Sequence, residues 1–391
     1  MTDPYVSIGA PPGEGGFHAV FAARVRHWPF RDLADFVWVD RDDEFKIQGQ
    51  ILDRQLRFLM ALHPGEAALA QGRRPTVDIR YLRRPETDGT ECVLLGKAFD
   101  PADAEAARAA ALDLWRTAST VVPIGYDLVP AETSADFEAW SGQALIRQAA
   151  ADRQWVEVRR PAEFLAWTDE ARPQQYLPLV YPFQWEPSSW EVVWAALARL
   201  EAPALVSVSL RPEVVSEADE RVLSNLVYDL SALGGDDGAR PPLRTRAAEA
   251  AAWYDGYLRG LRTAFGLRVS VLGAPPLRWA VRSALSGPGW SLEAGAASGH
   301  PLQAEIAEPA SAVEWATALA NMLYLEQAVW GPNPWGAARL LPILERLRYL
   351  ADPASALCAF RLPLLPPSGL PGVSIGEEIE PRRRGGPTAL S

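Results

Sequence analysis

Apolar positions recur along this chain at two spacings, and the switches between them lay out the elements in order. Residues 17–25 predict a strand. Residues 46–62 put Ile47, Ile51, Leu52, Leu56, Leu59 and Met60 on one helical face, and His63-Pro64-Gly65 stops the run. Val77, Ile79 and Leu82 mark a strand, and residues 92–99 a second one after the turn Thr87-Asp88-Gly89. Asp100 is expected to cap a helix with Pro101 at its first position and Asp103 at its third. Its apolar face runs through Ala104, Ala107, Ala111 and Trp115, and residues 121–129 return as a strand. The order β-α-β-β-α-β is that of a ferredoxin-like unit.

The second half repeats the scheme around an insertion. Residues 176–185 predict a Pro-rich edge strand. Ser188 and Glu191 predict a capping box for a helix carrying Trp190, Val193, Trp194, Leu197 and Leu200. Residues 204–210 alternate as a half-buried strand. Ser216 and Asp219 start a helix that Gly234-Gly235 ends, and residues 243–265 predict a long helix. A strand at 267–272, a helix at 277–285 and a strand at 302–306 follow, and Ser311 with Glu314 caps a last helix. The fold class expected is α+β: two ferredoxin-like modules, 1–135 and 136–330, the second with an inserted helical hairpin. Residues 331–391 complete the chain as a helix at 337–350 interrupted by Pro342, an extended stretch at 358–365 and an unpacked Pro-rich tail from 366.

Composition narrows the function classes. With 391 residues, 48% of them hydrophobic and 22% charged, the chain can bury a large core. Its 49 acidic and 38 basic residues leave a net charge of −11, which argues against a broad grip on nucleic acid. Contact with nucleic acid is therefore expected only indirectly. No signal peptide opens the chain, and no apolar run of about 18 residues offers a membrane span. Two distant cysteines, Cys92 and Cys358, suit a reducing cytoplasm.

The sequence holds no phosphate loop, no Gly-x-Ser-x-Gly elbow and no histidine pair at metal-ligand spacing. Gly96-Lys97 sits in a strand, is followed by Ala98, and lacks the spacing of a phosphate loop. The histidines His18, His27, His63 and His300 are scattered. The acidic run Asp40, Asp42, Asp43 and Glu44 lacks calcium-loop spacing and suits a helix start. Asp236-Asp237-Gly238 reads as a turn, and Arg382-Arg383-Arg384 as a solvated cluster. Neither a cofactor nor a metal is expected. The fifteen tryptophans stand out. Trp115, Trp190, Trp194, Trp253 and Trp315 have core spacing, whereas Trp330 and Trp335 lie in a loop, where tryptophan suits an interface.

Three groups of residues together suggest kinship. They are Asp53-Arg54-Gln55-Leu56-Arg57-Phe58-Leu59-Met60 with Val77-Asp78-Ile79-Arg80-Tyr81; Tyr181-Pro182-Phe183 with Ser207-Val208-Ser209-Leu210-Arg211-Pro212; and Ala359-Phe360-Arg361-Leu362-Pro363 with Gly369-Leu370-Pro371-Gly372. In that order, over about residues 15 to 375, the chain resembles the region upstream of the motor domain in large bacterial HerA/FtsK-type ATPases, relatives of conjugative-transfer motors. In that family the Phe-Arg-Leu-Pro segment precedes the ATPase core, but this sequence ends at Ser391, where the P-loop domain would begin. No family catalytic residue can be carried over. The resemblance implies a non-enzymatic scaffold or regulatory subunit beside a separate P-loop motor ATPase, in DNA translocation or defence, with homo-oligomerisation open. Phe360, Leu362 and Leu370, with Trp330 and Trp335, are the expected docking residues. The alternatives are an N-terminal fragment of a longer motor, a hydrolase with a Trp-lined carboxylate cleft, and a nucleic-acid-binding module.

Overall fold

The computed structural model describes residues 2–10, 15–35, 44–70, 72–87, 89–151, 155–169, 172–183, 189–286, 304–336 and 340–380. The first half contains β1 (Val6–Gly9), β2 (Phe17–His27), α1 (Phe30–Ala34), α2 (Glu44–Leu62), α3 (Glu66–Ala70), β3 (Thr76–Arg83), β4 (Thr90–Asp100), α4 (Ala104–Val121) and β5 (Tyr126–Pro130). The second contains α5 (Ser134–Ser141), α6 (Gln143–Ala151), β6 (Trp155–Arg159), β7 (Ala162–Asp169), β8 (Arg172–Val180), α7 (Glu191–Ala198), β9 (Ala204–Pro212), α8 (Glu217–Gly235), α9 (Pro241–Leu258), β10 (Phe265–Leu272), α10 (Pro275–Ser286), β11 (Glu305–Ala307) and α11 (Ala312–Tyr324). The last stretch adds α12 (Pro342–Arg346), β12 (Leu350–Ala351), α13 (Pro353–Ala359) and β13 (Glu377–Glu378).

The molecule is a mixed α+β fold on a mostly antiparallel sheet. Within the first half the strands lie side by side as β5, β2, β4, β3, that is, fourth, first, third, second of a β-α-β-β-α-β series. In the second half β11, β6, β10 and β9 stand in the same relation. The halves join where β3 pairs antiparallel with β9, from Val77 opposite Leu210 to Arg83 opposite Ala204. The sheet therefore runs across the boundary expected near residue 135. β1 shares the β2 edge end to end with β5, and the Tyr5 N–H donates to the Ala131 carbonyl at their junction.

The pleat explains the two faces. Val77, Ile79 and Tyr81 of β3 and Val206, Val208 and Leu210 of β9 point to one side. They pack there with Ile47 and Ile51 of α2, Trp115 of α4, Trp190 just before α7 and Trp194 within it, and Leu277 and Val281 of α10. Gly96 of β4 leaves the space that the Phe21 ring occupies, because a Cβ there would come within 2.3 Å of that ring. Phe21 then meets Trp115 edge-on at 5.5 Å. A second core lies between the β7–β8 hairpin, the α8–α9 hairpin and α12, with Leu179, Leu230, Tyr254 and Leu347 inside.

Several expectations change in detail. The helix cap is Asp103, and Asp100 instead accepts the N–H groups of Ala102 and Asp103 in a turn. Residues 121–125 close α4 and lead into β5. The first strand of the second half is β6, which a short buried run with little alternation concealed. β8 pairs only with β7 in a separate hairpin. The expected capping box at Ser188 lies outside the described residues, and Trp190 takes the position before α7. β9 is buried on both faces, since it is a central strand. The long helix ends at Leu258, and Phe265 opens β10. Pro342 starts α12 rather than interrupting a longer helix, as suits its missing N–H. Cys358 belongs to α13. The capping boxes at Ser216–Asp219 and Ser311–Glu314 are present as expected.

The described part of the tail is built into the first half. Gln55, buried in α2, donates to the Leu362 carbonyl at 3.3 Å and accepts from its N–H at 3.0 Å. Tyr126 donates to the Pro363 carbonyl at 2.8 Å, and Tyr81 to that of Arg361. Ile375 is buried, the Gly376 N–H donates to the Thr90 carbonyl, and β13 lies parallel to β2. Phe360→Ala should therefore lower stability by about 3–5 kcal/mol. Deletion after Leu350 should leave insoluble or unfolded protein. Urea unfolding and soluble yield measure these effects, and wild-type values would contradict the packing described.

Candidate functional site

Two features outside the apolar core concentrate polar and aromatic chemistry. The first is a buried band on the sheet face opposite α2 and α7. The pleat that sends Val77 and Ile79 to one side sends Asp78 and Arg80 to the other, opposite Ser209 and Ser207 of β9. The Ser207 hydroxyl lies 2.8 Å from both carboxylate oxygens of Asp78, and Arg80 Nη2 pairs with Asp78 Oδ2 at 3.2 Å. Arg80 also donates to the carbonyls of Ser141 and Met322. Burial pushes the Asp78 carboxyl up, while Arg80 and Ser207 pull it down.

The band extends to both sides of the β3–β9 junction. Lys97 of β4 pairs with Glu326. Gln327 Nε2 donates to Ser209 Oγ at 2.9 Å. Glu157 of β6 is held between Arg159 at 2.6 Å and Arg268 of β10 at 2.8 Å. The segment after α11 covers the band and supplies these partners. It turns on Leu325, whose φ of 53° is left-handed, which delivers Glu326 and Gln327 onto the sheet. His18 of β2 lies in the same layer, with its ring 5.5 Å from that of Tyr324. Burial holds its pKa down at about 4, with Lys97 adding to the effect and Glu326 opposing it.

The second feature is the outer edge of the sheet. Among the described residues, no strand pairs with the far side of β11. α10 lies beside this edge and displays Trp279, which is 56% exposed and alone among the described tryptophans in being exposed. Pro275, Arg278, Arg282, Glu305, Ile306 and Glu308 complete a groove of about 540 Å³ with it. Arg278 pairs with Glu308 at 2.8 Å, and Arg282 Nε donates to the Ala304 carbonyl at 2.8 Å. The Arg282 guanidinium lies 5.3 Å from the Trp279 ring centre.

The docking residues expected from sequence are placed elsewhere, and this corrects the reading of four of them as surface groups. Trp330 is buried beneath the Arg159 guanidinium, 4.1 Å from the ring centre. Trp335 packs against Phe164 at 5.0 Å in the second core. Phe360 and Leu362 are buried among the residues of α2, α7 and α13. Leu370 is half-buried in the turn before Val373. Loop position had suggested exposure, yet these loops lie over the sheet and close its core. Trp279 gave a weak signal: its neighbours Leu277, Ala280 and Val281 face inward, so helical spacing turns residue 279 outward.

The remaining candidates divide similarly. Asp236 Oδ1 accepts from the Gly238 N–H at 2.9 Å, as a turn requires. His63 Nδ1 accepts from Gly65 N–H at 3.2 Å just past α2. Asp40, Asp42, Asp43, His300 and Arg382–Arg384 lie outside the described residues. Among the described residues, no group of three or more His, Cys, Asp or Glu side chains is placed to hold a metal, and no helix is long and apolar enough to cross a membrane. Neither a family model nor a curated protein matches the chain.

Asp78→Ala strands the buried Arg80 charge and should cost about 3–5 kcal/mol, whereas Asp78→Leu with Arg80→Met should recover much of that loss. Denaturant midpoints of the three proteins decide the point. His18 accepts a proton in the unfolded chain near pH 6.5 but in the folded chain only near 4. Acidification across that interval therefore favours unfolding. His18→Phe should flatten the fall in the urea midpoint between pH 6.5 and 4, and an unchanged slope would refute this assignment.

Proposed function

We propose that the chain is a non-enzymatic scaffold or regulatory subunit for a separate HerA/FtsK-like P-loop motor. Each half is then a ferredoxin-like module, and the outer edge at β11 and Trp279 receives the partner. The repeated fourth-first-third-second strand order supports the modular reading. The observation that carries the docking proposal is the exposed Trp279 beside an edge strand unpaired among the described residues. Unpaired edges recruit extended segments through backbone hydrogen bonds, and an exposed tryptophan adds a large anchor. The covered sheet faces also favour recognition at the edge. The DNA-linked setting rests on the motif resemblance, and the cytoplasmic location on the two distant cysteines, Cys92 and Cys358.

The test uses the full-length protein in its native host. Wild type should retain a P-loop ATPase, identified by mass spectrometry, and Trp279→Ala should lose it with no change in melting temperature. Equal retention by both proteins would refute docking at this edge. ATP turnover by the purified chain, persisting through removal of contaminants, would refute the non-enzymatic reading.

A further inference from the structure

A cleft of about 480 Å³ opens in the first half of the molecule, between the end of α2, one side of α4, the end of β4 and the stretch that leads into β3. That volume is within the roughly 300–1,000 Å³ of small-molecule sites. The sequence explains why the space is left. α2 ends at Leu62, just before Pro64 and Gly65. The first two turns of α4 line the cleft with methyl groups only, from Ala106, Ala109 and Ala110. Leu62, Ala98 and Leu114, all buried, form its floor. Thr117 also lines it, but its hydroxyl donates to the Asp113 carbonyl at 2.9 Å.

Four charged side chains border this apolar space: Arg73, Arg74, Asp100 and Asp113. The two carboxylates have partners. Asp100 accepts the N–H groups of Ala102 at 2.9 Å and Asp103 at 2.8 Å, and Asp113 pairs with Arg116 at 3.1 Å. Arg73 and Arg74 are exposed, and neither side chain makes an ion pair or hydrogen bond among the described residues. The uncommitted charge beside the apolar floor is therefore positive.

We propose that this cleft binds a free fatty carboxylate of medium chain length. The alkyl chain lies against the alanine face of α4 and the floor, and the carboxylate pairs with Arg73 or Arg74. An alkyl chain suits walls whose hydrogen-bonding groups are already engaged, because it asks for none of them. A guanidinium suits a carboxylate, which can accept two of its N–H groups at once. A neutral alcohol would leave the arginines unused, and an alkylammonium would be repelled by them. This cleft lies in the half of the sheet away from β11, so failure here leaves the docking edge standing, and the reverse.

Isothermal titration of the full-length protein with decanoate, below its micellar concentration, tests the proposal. Decanoate should bind saturably, about tenfold or more tighter than decanol, and decyltrimethylammonium should give no binding. From hexanoate to decanoate, each added methylene should tighten binding by up to about fourfold. Arg73→Gln with Arg74→Gln should weaken decanoate about tenfold or more, leave decanol unchanged and preserve the melting temperature. Ala106→Leu keeps a good helix former and should abolish binding of both by filling the gap. No heat from decanoate at millimolar concentration would overturn the proposal. Equal decanoate binding by wild type and the double arginine variant, or by wild type and a folded Ala106→Leu, would also overturn it. Retention on phosphatidylglycerol vesicles without binding of decanoate would reject the free-ligand form.

Discussion

The antiparallel pairing of β3 with β9 is the contact on which the rest of the architecture depends. It joins two four-stranded units into one continuous sheet and makes their apolar faces a single surface. Val77 opposite Leu210, Ile79 opposite Val208 and Tyr81 opposite Val206 form this join on the helical side. Cross-strand pairs of such residues stabilise a sheet because neighbouring side chains pack directly on the pleat. A shift of one residue would turn these apolar groups toward the polar side and bring Asp78 and Arg80 into the apolar core.

The polar side of the same pairing adds selectivity of register. Asp78 has Ser207 within bonding reach only when the strands align as observed, whereas Arg80 stands two residues away on the same strand. A buried charge without its partner is costly, so the band penalises slipped pairings more strongly than it rewards the right one. The same reasoning covers Glu157 between Arg159 and Arg268, which spans β6 and β10 in the second half. The segment from Leu325 to Trp335 acts as the lid of this band, so its aromatic residues serve the interior.

Edges and faces then divide the work. Helices α2, α4, α7 and α10 cover one face of the sheet, while α5, α6 and α11 pack on the other around the band and its covering segment. The first half's edge is occupied along β2 by β1 and β5. β11 at the opposite end is short, with Trp279 and two arginines beside it. Of the candidate interface, the sequence disclosed that tryptophan is unusually abundant, and loop position pointed to Trp330 and Trp335. Burial separates Trp330 and Trp335 from Trp279, and burial depends on which segments later fold across a loop.

Local patterns by themselves determined the α+β class, most helices, two capping boxes and the order of the main elements in the first half. Such features are encoded within a turn or two, where spacing decides which side chains share a face. Tertiary structure decided the joining of β3 to β9, the place of β6, the charged band and the burial of Phe360 and Leu362. Gln55 meets Leu362 across more than three hundred residues of chain, and Asp78 meets Ser207 across more than a hundred. No periodicity carries such contacts: they arise when distant segments compete to cover the same apolar surface and to satisfy the same buried polar atoms.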